Sequence, residues 1–371
     1  MIIKNVKVYG RDQVFRQGEV VIREGLFQKE ALPDEELIDG KGCYAIPGLI
    51  DMHFHGCMGS DVCDNDSEGL QKIADYEASV GVTSMCPATM TLPLAELGDV
   101  VSGIADFKSD SGAKYVGINM EGPFISKVKK GAQDDSNIIP ANVEVFREFQ
   151  KRAKGLVKFI GVAPEVESEV ALDFIKGVKD EVSVSLAHTN ADYEEADRAF
   201  TAGAKAVTHL FNAMSPFGHR DPGVVGAAFD HPEVFVELIC DGIHLHPSMV
   251  RVAFQLFGTK RICLISDSMR ATGLANGTYT LGGQEVNVHD GKATMVKDGA
   301  IAGSVHNLLE CLRYTVNEVG IPLEEALACA TINPARALKL EDRYGGIEAG
   351  KVGNLVLLNE KLQVEKVLIN G

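Results

Sequence analysis

Pro47-Gly48-Leu49-Ile50-Asp51-Met52-His53-Phe54-His55-Gly56 decides how the rest of the chain is read. A short apolar run, Leu49 to Met52, leads directly into His-Phe-His. Alternate side chains of an extended segment point the same way, so His53 and His55 are expected to face one side together. Two imidazoles held in this way form half of a metal site. One His-x-His alone is more often two ordinary core or turn histidines, so the remainder of the site must come from elsewhere in the chain.

Upstream of this stretch, residues 1–46 read as short β-strands separated by glycine turns at Gly10, Gly18, Gly25 and Gly40-Lys41-Gly42. Residues 345–371 have the same texture, with Leu355 to Leu358 and Val364 to Ile369 as strands. The two ends are expected to pair into one small β domain, a β-sandwich built from both termini. Between them, strands and helices alternate. Candidate strands are 49–53, 82–86, 115–120, 157–162, 182–187, 206–208, 234–239 and 262–265. Helical spacing follows at 67–80, 143–153, 170–177, 194–202 and 248–257. Eight short apolar strands, most followed by a helix, imply a parallel sheet closed into an α/β barrel of the (β/α)8, TIM-like type over 47–344. Residues 272–303 interrupt the alternation as a β-hairpin excursion. Helices resume at 307–319, 323–330 and 334–340, with Asn333 expected to cap the last ahead of Pro334.

Polar residues stand at the ends of those strands. His53 and His55 end the first, Glu121 the third, His188 the fifth and His209 the sixth. Asp241-Gly242-Ile243-His244 ends the seventh and Asp267 the eighth. In such a barrel the C-terminal strand ends form the active face, so these residues are expected to converge. Imidazole and carboxylate donors suit a first-row divalent ion, zinc foremost, with Fe2+, Mn2+ or Co2+ also compatible. Glu121, His188 and His209 supply the three protein ligands of a catalytic site, and His53 and His55 add room for a second ion. A divalent ion lowers the pKa of water from ~15.7 towards ~7. Asp267 lies outside the ligand trio and is the candidate to take and return the proton.

The full set of motifs resembles the amidohydrolase superfamily and, within it, the N-acetylglucosamine-6-phosphate deacetylases. The matching text is 47–56, Glu-Gly-Pro-Phe (121–124), Lys-Lys-Gly-Ala-Gln (129–133), Ala-His-Thr-Asn (187–190), Thr-His-Leu-Phe-Asn-Ala-Met (208–214), Gly-His-Arg-Asp-Pro-Gly (218–223), Asp-Gly-Ile-His (241–244), Ser-Asp-Ser-Met (266–269), Asn-Pro-Ala (333–335) and the stretch 345–356. The resemblance implies hydrolysis of the acetamide of N-acetyl-D-glucosamine 6-phosphate to D-glucosamine 6-phosphate and acetate, in amino-sugar catabolism and cell-wall recycling. It implies the same ligand trio and the same proton-transfer role for Asp267. It further implies substrate contacts by Ala132, Gln133, Asn212, Ala213, Ile301, Ala302 and Gly303, and phosphate contacts by Arg220 and His244. A homodimer in which Arg220 reaches the neighbouring site is also implied. Arginine is the natural fork for phosphate. Gln133 stands where some members of the family carry histidine beside the acetyl carbonyl, and it can donate to a developing oxyanion. Some members lack both histidines of His-x-His and hold one ion, whereas this chain keeps both. No counterpart of the superfamily's carboxylated lysine is evident, and Glu121 takes the bridging place. The alternatives are a sister amidohydrolase acting on N-acetylgalactosamine 6-phosphate or another amide, and a non-catalytic scaffold on a hydrolase fold.

Composition narrows the partners. The net charge of -16 argues against a nucleic-acid or anionic-membrane surface while leaving room for a local basic pocket. No apolar run is long enough to span a membrane. The start, Met1-Ile2-Ile3-Lys4, reads as a strand and not as a signal peptide. The eight cysteines show no Cys-x-x-Cys pairing and most lie in apolar runs, so reduced thiols and a cytoplasmic location are expected.

Overall fold

The fold is described from a computed structural model of the chain, covering residues 1–369. The first barrel strand, Leu49–Asp51, pairs in parallel with the second, Val82–Met85. The second continues, after Cys86-Pro87, as Ala88–Thr89. The third is broken around Val116-Gly117 into Lys114–Tyr115 and Ile118–Met120, each half pairing with one half of the second. Val157–Val162, Ser183–Leu186, Ala206–Val207, Phe235–Ile239 and Ile262–Ile265 follow in order, all parallel. The ring closes between the eighth strand and the first. The Asp267 N–H donates to the His53 carbonyl at 2.9 Å, and the His55 N–H donates to the Ser268 carbonyl at 2.7 Å.

Alternation along the strands sorts the side chains. Ile50, Met52, Cys86, Phe159, Ala206, Ile239, Cys263 and Ile265 pack inside the barrel against Ala335, Ala337 and Leu338, which plug its bottom. Leu49, Val82, Ile118, Ile160, Val184, Val236 and Leu264 face outward and form the larger apolar layer under the helices. The helices start where their caps stand. Asp66 accepts from the N–H groups of Glu68 and Gly69 to open Ser67–Ser79, and Asp192 with Glu195 forms a capping box on Tyr193–Ala202.

Two helices go beyond the sequence reading. Leu94–Asp106 buries Leu97, Val100, Val101 and Ile104 at helical spacing, although Gly98 and Gly103 weaken its propensity. Both glycines are packed close: a Cβ at Gly98 would lie 2.2 Å from Arg152 and one at Gly103 1.9 Å from Asn65. Gly223–Asp230 is also helical, where no helix was expected; it is apolar on nearly every side and so shows no polar face. Asn333 is not a cap. Its helix, Ile332–Ala337, begins before it, and its side-chain amide donates to the carbonyls of Thr259 and Ile262, both at 2.7 Å. Beyond Leu308–Tyr314 the expected helix widens into a π-turn, Thr315–Val319.

The excursion after the eighth strand is a three-stranded antiparallel unit, Gly277–Leu281, Gln284–His289 and Lys292–Met295. The two chain ends meet as expected. Leu355–Leu358 pairs antiparallel with Tyr44–Pro47, within a continuous seven-stranded sheet that encloses its own apolar cluster. Pro47 belongs to that sheet and Leu49 to the barrel, so Gly48 is the junction; a Cβ there would lie 2.0 Å from the Thr83 hydroxyl. Among the described residues, no helix is long and apolar enough to cross a membrane. All eight cysteines are free thiols, and burial pushes the Cys57 thiol pKa up, away from reactivity.

Candidate metal centre and substrate cleft

Three of the candidate residues leave their strands through a left-handed backbone turn. His188 has φ of 44°, His209 of 29° and Asp267 of 49°. Non-glycine residues pay for such conformations, of order 1–3 kcal/mol each, and hold them where the surroundings over-determine the geometry. Here the turn swings each side chain over the barrel mouth. Glu165, at the end of the fourth strand, helps hold one of these turns by accepting from the Thr189 hydroxyl at 2.5 Å and the Asn190 N–H at 2.6 Å.

Glu121 is the centre of the cluster. Its Oε1 lies 2.9 Å from His188 Nε2, 3.1 Å from His209 Nε2 and 3.4 Å from His53 Nε2. Its Oε2 lies 3.5 Å from His55 Nε2. Asp267 Oδ1 is 3.3 Å from His55 Nε2 and 3.7 Å from His53 Nε2. Each imidazole is oriented from behind through Nδ1. His188 meets the Lys129 carbonyl at 2.8 Å, His209 the Asn212 carbonyl at 3.1 Å, His55 the Ala88 carbonyl at 3.1 Å and His53 the Glu237 carboxylate at 2.9 Å. An acceptor at Nδ1 assigns the proton there and leaves the Nε2 lone pair free. All four Nε2 atoms face the carboxylates of Glu121 and Asp267: as lone pairs they are donors for a cation, and protonated they supply positive charge in its place.

This donor set fits a divalent metal. Glu121, His188 and His209 place one donor atom each within 4.8 Å of one another, and so do His53, His55 and Glu121. Ligands ~2.0–2.2 Å from a tetrahedral ion stand ~3.4 Å apart, close to the separations here. His53 Nε2 is also buried with no hydrogen-bond partner, an orphan that a cation would satisfy. Burial works to raise the Glu121 pKa, but the facing imidazoles of His188 and His53 outweigh it and hold the carboxyl well below its ordinary range. Asp267 is lowered for the same reason, its burial overcome by the hydrogen bond of His55 and the charge of His53.

The cluster floors a cleft of about 420 Å³. Ala132, Gln133, Asn212, Ala213, His244, Ile301, Ala302 and Gly303 line it together with His55, Glu121, His188, His209 and Asp267. His53 sits beneath, fully buried. Arg220 is the exception. It is exposed on the 218–223 loop, bonded at 2.7 Å to His219 Nε2, and does not line the cleft of its own chain. Gln133 lines the cleft and is bonded on both sides: its Oε1 accepts the Thr91 N–H at 2.6 Å, and its amide donates to Glu121 Oε2 at 2.5 Å, so it orients the central carboxylate. His244 donates through Nδ1 to Asp241 Oδ2 at 2.7 Å, and Asp241 Oδ1 accepts the N–H groups of Ile243 and His244, both at 2.9 Å. Burial works to raise Asp241, but those bonds and the charge of His244 win and bring its pKa to about 2. Burial likewise opposes charge on His244, and Asp241 outweighs it, leaving the imidazole pKa above its ordinary value.

Glu237 escaped the sequence reading. It lies in the seventh strand, only 1 % exposed, between residues that alternate into the barrel. The signal was a charge inside the apolar run Val234 to Ile239. Helices cover the outside of such a barrel, so a charge on either strand face is buried and must be paired.

Residues 44–371 match the amidohydrolase family. The chain belongs to that family. Among relatives, this amidohydrolase is 34% identical over 383 residues to the N-acetylglucosamine-6-phosphate deacetylase of Bacillus subtilis, covering 100% of this chain and 96% of that one. It is 33% identical to the N-acetylgalactosamine-6-phosphate deacetylase of Escherichia coli O157:H7, covering 88% and 86%. In structure it superposes with a TM-score of 0.92 on a Mycobacterium smegmatis N-acetyl-D-glucosamine-6-phosphate deacetylase, at 29% identity and covering 100% and 98%. That structure is of an Asp-to-Ala mutant in complex with N-acetyl-D-glucosamine-6-phosphate. The Thermotoga maritima N-acetylglucosamine-6-phosphate deacetylase gives a TM-score of 0.87 at 30% identity, covering 100% and 98%.

Proposed function

We propose that this amidohydrolase removes the acetyl group of N-acetyl-D-glucosamine 6-phosphate, giving D-glucosamine 6-phosphate and acetate. The observation that carries the reading is the convergence, in one cleft, of Glu121, His188 and His209 with a separate carboxylate at Asp267 and an oriented imidazole at His244. Glu121, His188 and His209 would hold one divalent ion, zinc foremost, and His53 and His55 with Glu121 a second. An ion there supplies Lewis acidity, polarising the acetamide carbonyl and making water acidic enough to react at neutral pH.

The chain's residues supply the rest. Asp267 is held ionised and can accept a proton from the attacking water as its oxygen bonds to the acetyl carbon. It then delivers that proton to the sugar nitrogen as the C–N bond breaks. His244 faces the cleft as a donor for the 6-phosphate, with Asp241 supporting its charge. Arg220 lies outside its own cleft, and this supports a homodimer in which it serves the site of a second copy.

The likeness to a galactosamine-series deacetylase makes the sugar epimer the sharpest question. Acetate release should be followed on N-acetylglucosamine 6-phosphate, N-acetylgalactosamine 6-phosphate and unphosphorylated N-acetylglucosamine, with Zn2+, Fe2+, Mn2+ and Co2+ supplied in turn. Highest kcat/KM on the first substrate is expected. Preference for the galactosamine ester would reassign the substrate, and no turnover with any ion would overturn the hydrolase reading.

A further inference from the structure

Among the buried carboxylates that the metal reading leaves unused, Glu237 touches both ligand groups. Glu237 Oε2 lies 2.9 Å from His53 Nδ1 and also accepts the backbone N–H of His209 at 3.1 Å. One carboxylate oxygen therefore touches a ring in one ligand group and the main chain of the other. Its second oxygen, Oε1, is buried with no hydrogen-bond partner. No lysine or arginine pairs with it among the described residues, and His53 is its one ion-pair partner.

We propose that Glu237 is a positioning residue for metal binding: through His53 it sets the affinity of the group His53, His55 and Glu121 for a second divalent ion, and through the His209 N–H it ties that group to Glu121, His188 and His209. The inference rests on the metal-hydrolase reading above. A buried carboxylate with a bare oxygen is costly unless positive charge stands nearby. An ion on His53 Nε2 provides it through the ring, while the carboxylate makes the ring a stronger donor. His55 shows the contrast. Its Nδ1 rests on a neutral carbonyl, that of Ala88, so the charged support of this group falls on His53 alone.

The experiment is a Co2+ titration of the full-length chain after chelation and desalting, read by calorimetry, by cobalt absorption and by elemental analysis. Wild type should take two ions. Glu237→Gln, which preserves shape and an acceptor for Nδ1–H, should keep the first ion and bind the second ~10–100-fold more weakly. Placed on His53→Asn, the same change should have no further effect on ion number. A merely structural role would weaken both ions together and lower the melting temperature in proportion. Two ions bound by Glu237→Gln with wild-type affinities overturns the role of Glu237. A wild type that never takes a second ion overturns the proposal one step earlier, at the His53 group itself. If the glutamine form does not fold, Glu237→Asp decides. It keeps the charge but shortens the reach, so an intermediate second affinity is expected and an unchanged one overturns the inference.

Discussion

Asp267 and His244 line the same cleft, and in the proposed reaction they would do different work, for which their surroundings fit them. Asp267 is a buried carboxylate kept ionised by the His53 and His55 imidazoles, which suits a group that must accept a proton first. Asp267→Asn keeps its volume and loses the base. It should lower kcat by ~10²–10⁴-fold with metal content unchanged; near-wild-type turnover would remove Asp267 from the proton path. His244 is supported by Asp241 and has a raised pKa. A raised pKa means the cation is fully present below the ordinary imidazole value of ~6.5 and is lost only as pH rises through the folded value. Phosphate affinity should follow that charge. KM for the phosphosugar should therefore climb with pH above neutrality in wild type, and His244→Asn should have a higher KM that is flat over the same range. A wild-type KM independent of pH there would sink the assignment. Both residues were legible at strand ends, but the backing of His244 by Asp241 needed the turn geometry.

At the scale of elements, the fourth strand has a role no motif shows. Gly161 faces the barrel interior beside the ends of the third and fifth strands that carry Glu121 and His188. A Cβ there would lie 2.7 Å from the Glu121 carbonyl and 2.8 Å from the Ala187 Cβ. Neither can swing aside as a flexible side chain would. Gly161→Ala should cost ~1–3 kcal/mol of stability and weaken the first metal ion, since Glu121 and His188 flank the contact. Urea unfolding and metal titration together test this, and an unchanged midpoint with unchanged affinity would refute it. The excursion is also tied to the cleft: the Gln284 amide donates to the Ala132 carbonyl at 2.6 Å, and Leu281 joins the lining. Helices with a polar face and a cap were legible. Leu94–Asp106 was hidden by glycines that serve packing, and Gly223–Asp230 by the lack of any polar face, because intrinsic propensity yields to tertiary contact.

For the whole molecule, Arg220 frames the question of assembly. It is exposed and outside its own cleft, yet a guanidinium is the kind of group that grips a phosphate. If it serves a second copy, Arg220→Ala and Asp267→Asn proteins, each nearly inactive alone, should regain activity when unfolded together and refolded. The hybrid dimer then carries one site with both groups intact. Mixed dimers without recovered turnover would place Arg220 elsewhere.

The order of eight strands, the polar residues at their ends and the β-rich termini could all be read from the chain, because each depends on local periodicity and residue type. Three features could not: closure of the barrel through the Asp267–His53 backbone bond, the four Nε2 atoms gathered around Glu121, and the shared grip of Glu237 on both ligand groups. These depend on contacts between residues as many as 214 positions apart, as between His53 and Asp267. His53-Phe54-His55 could announce two ligands, but the carboxylates beside them are brought there only when the ring of strands closes.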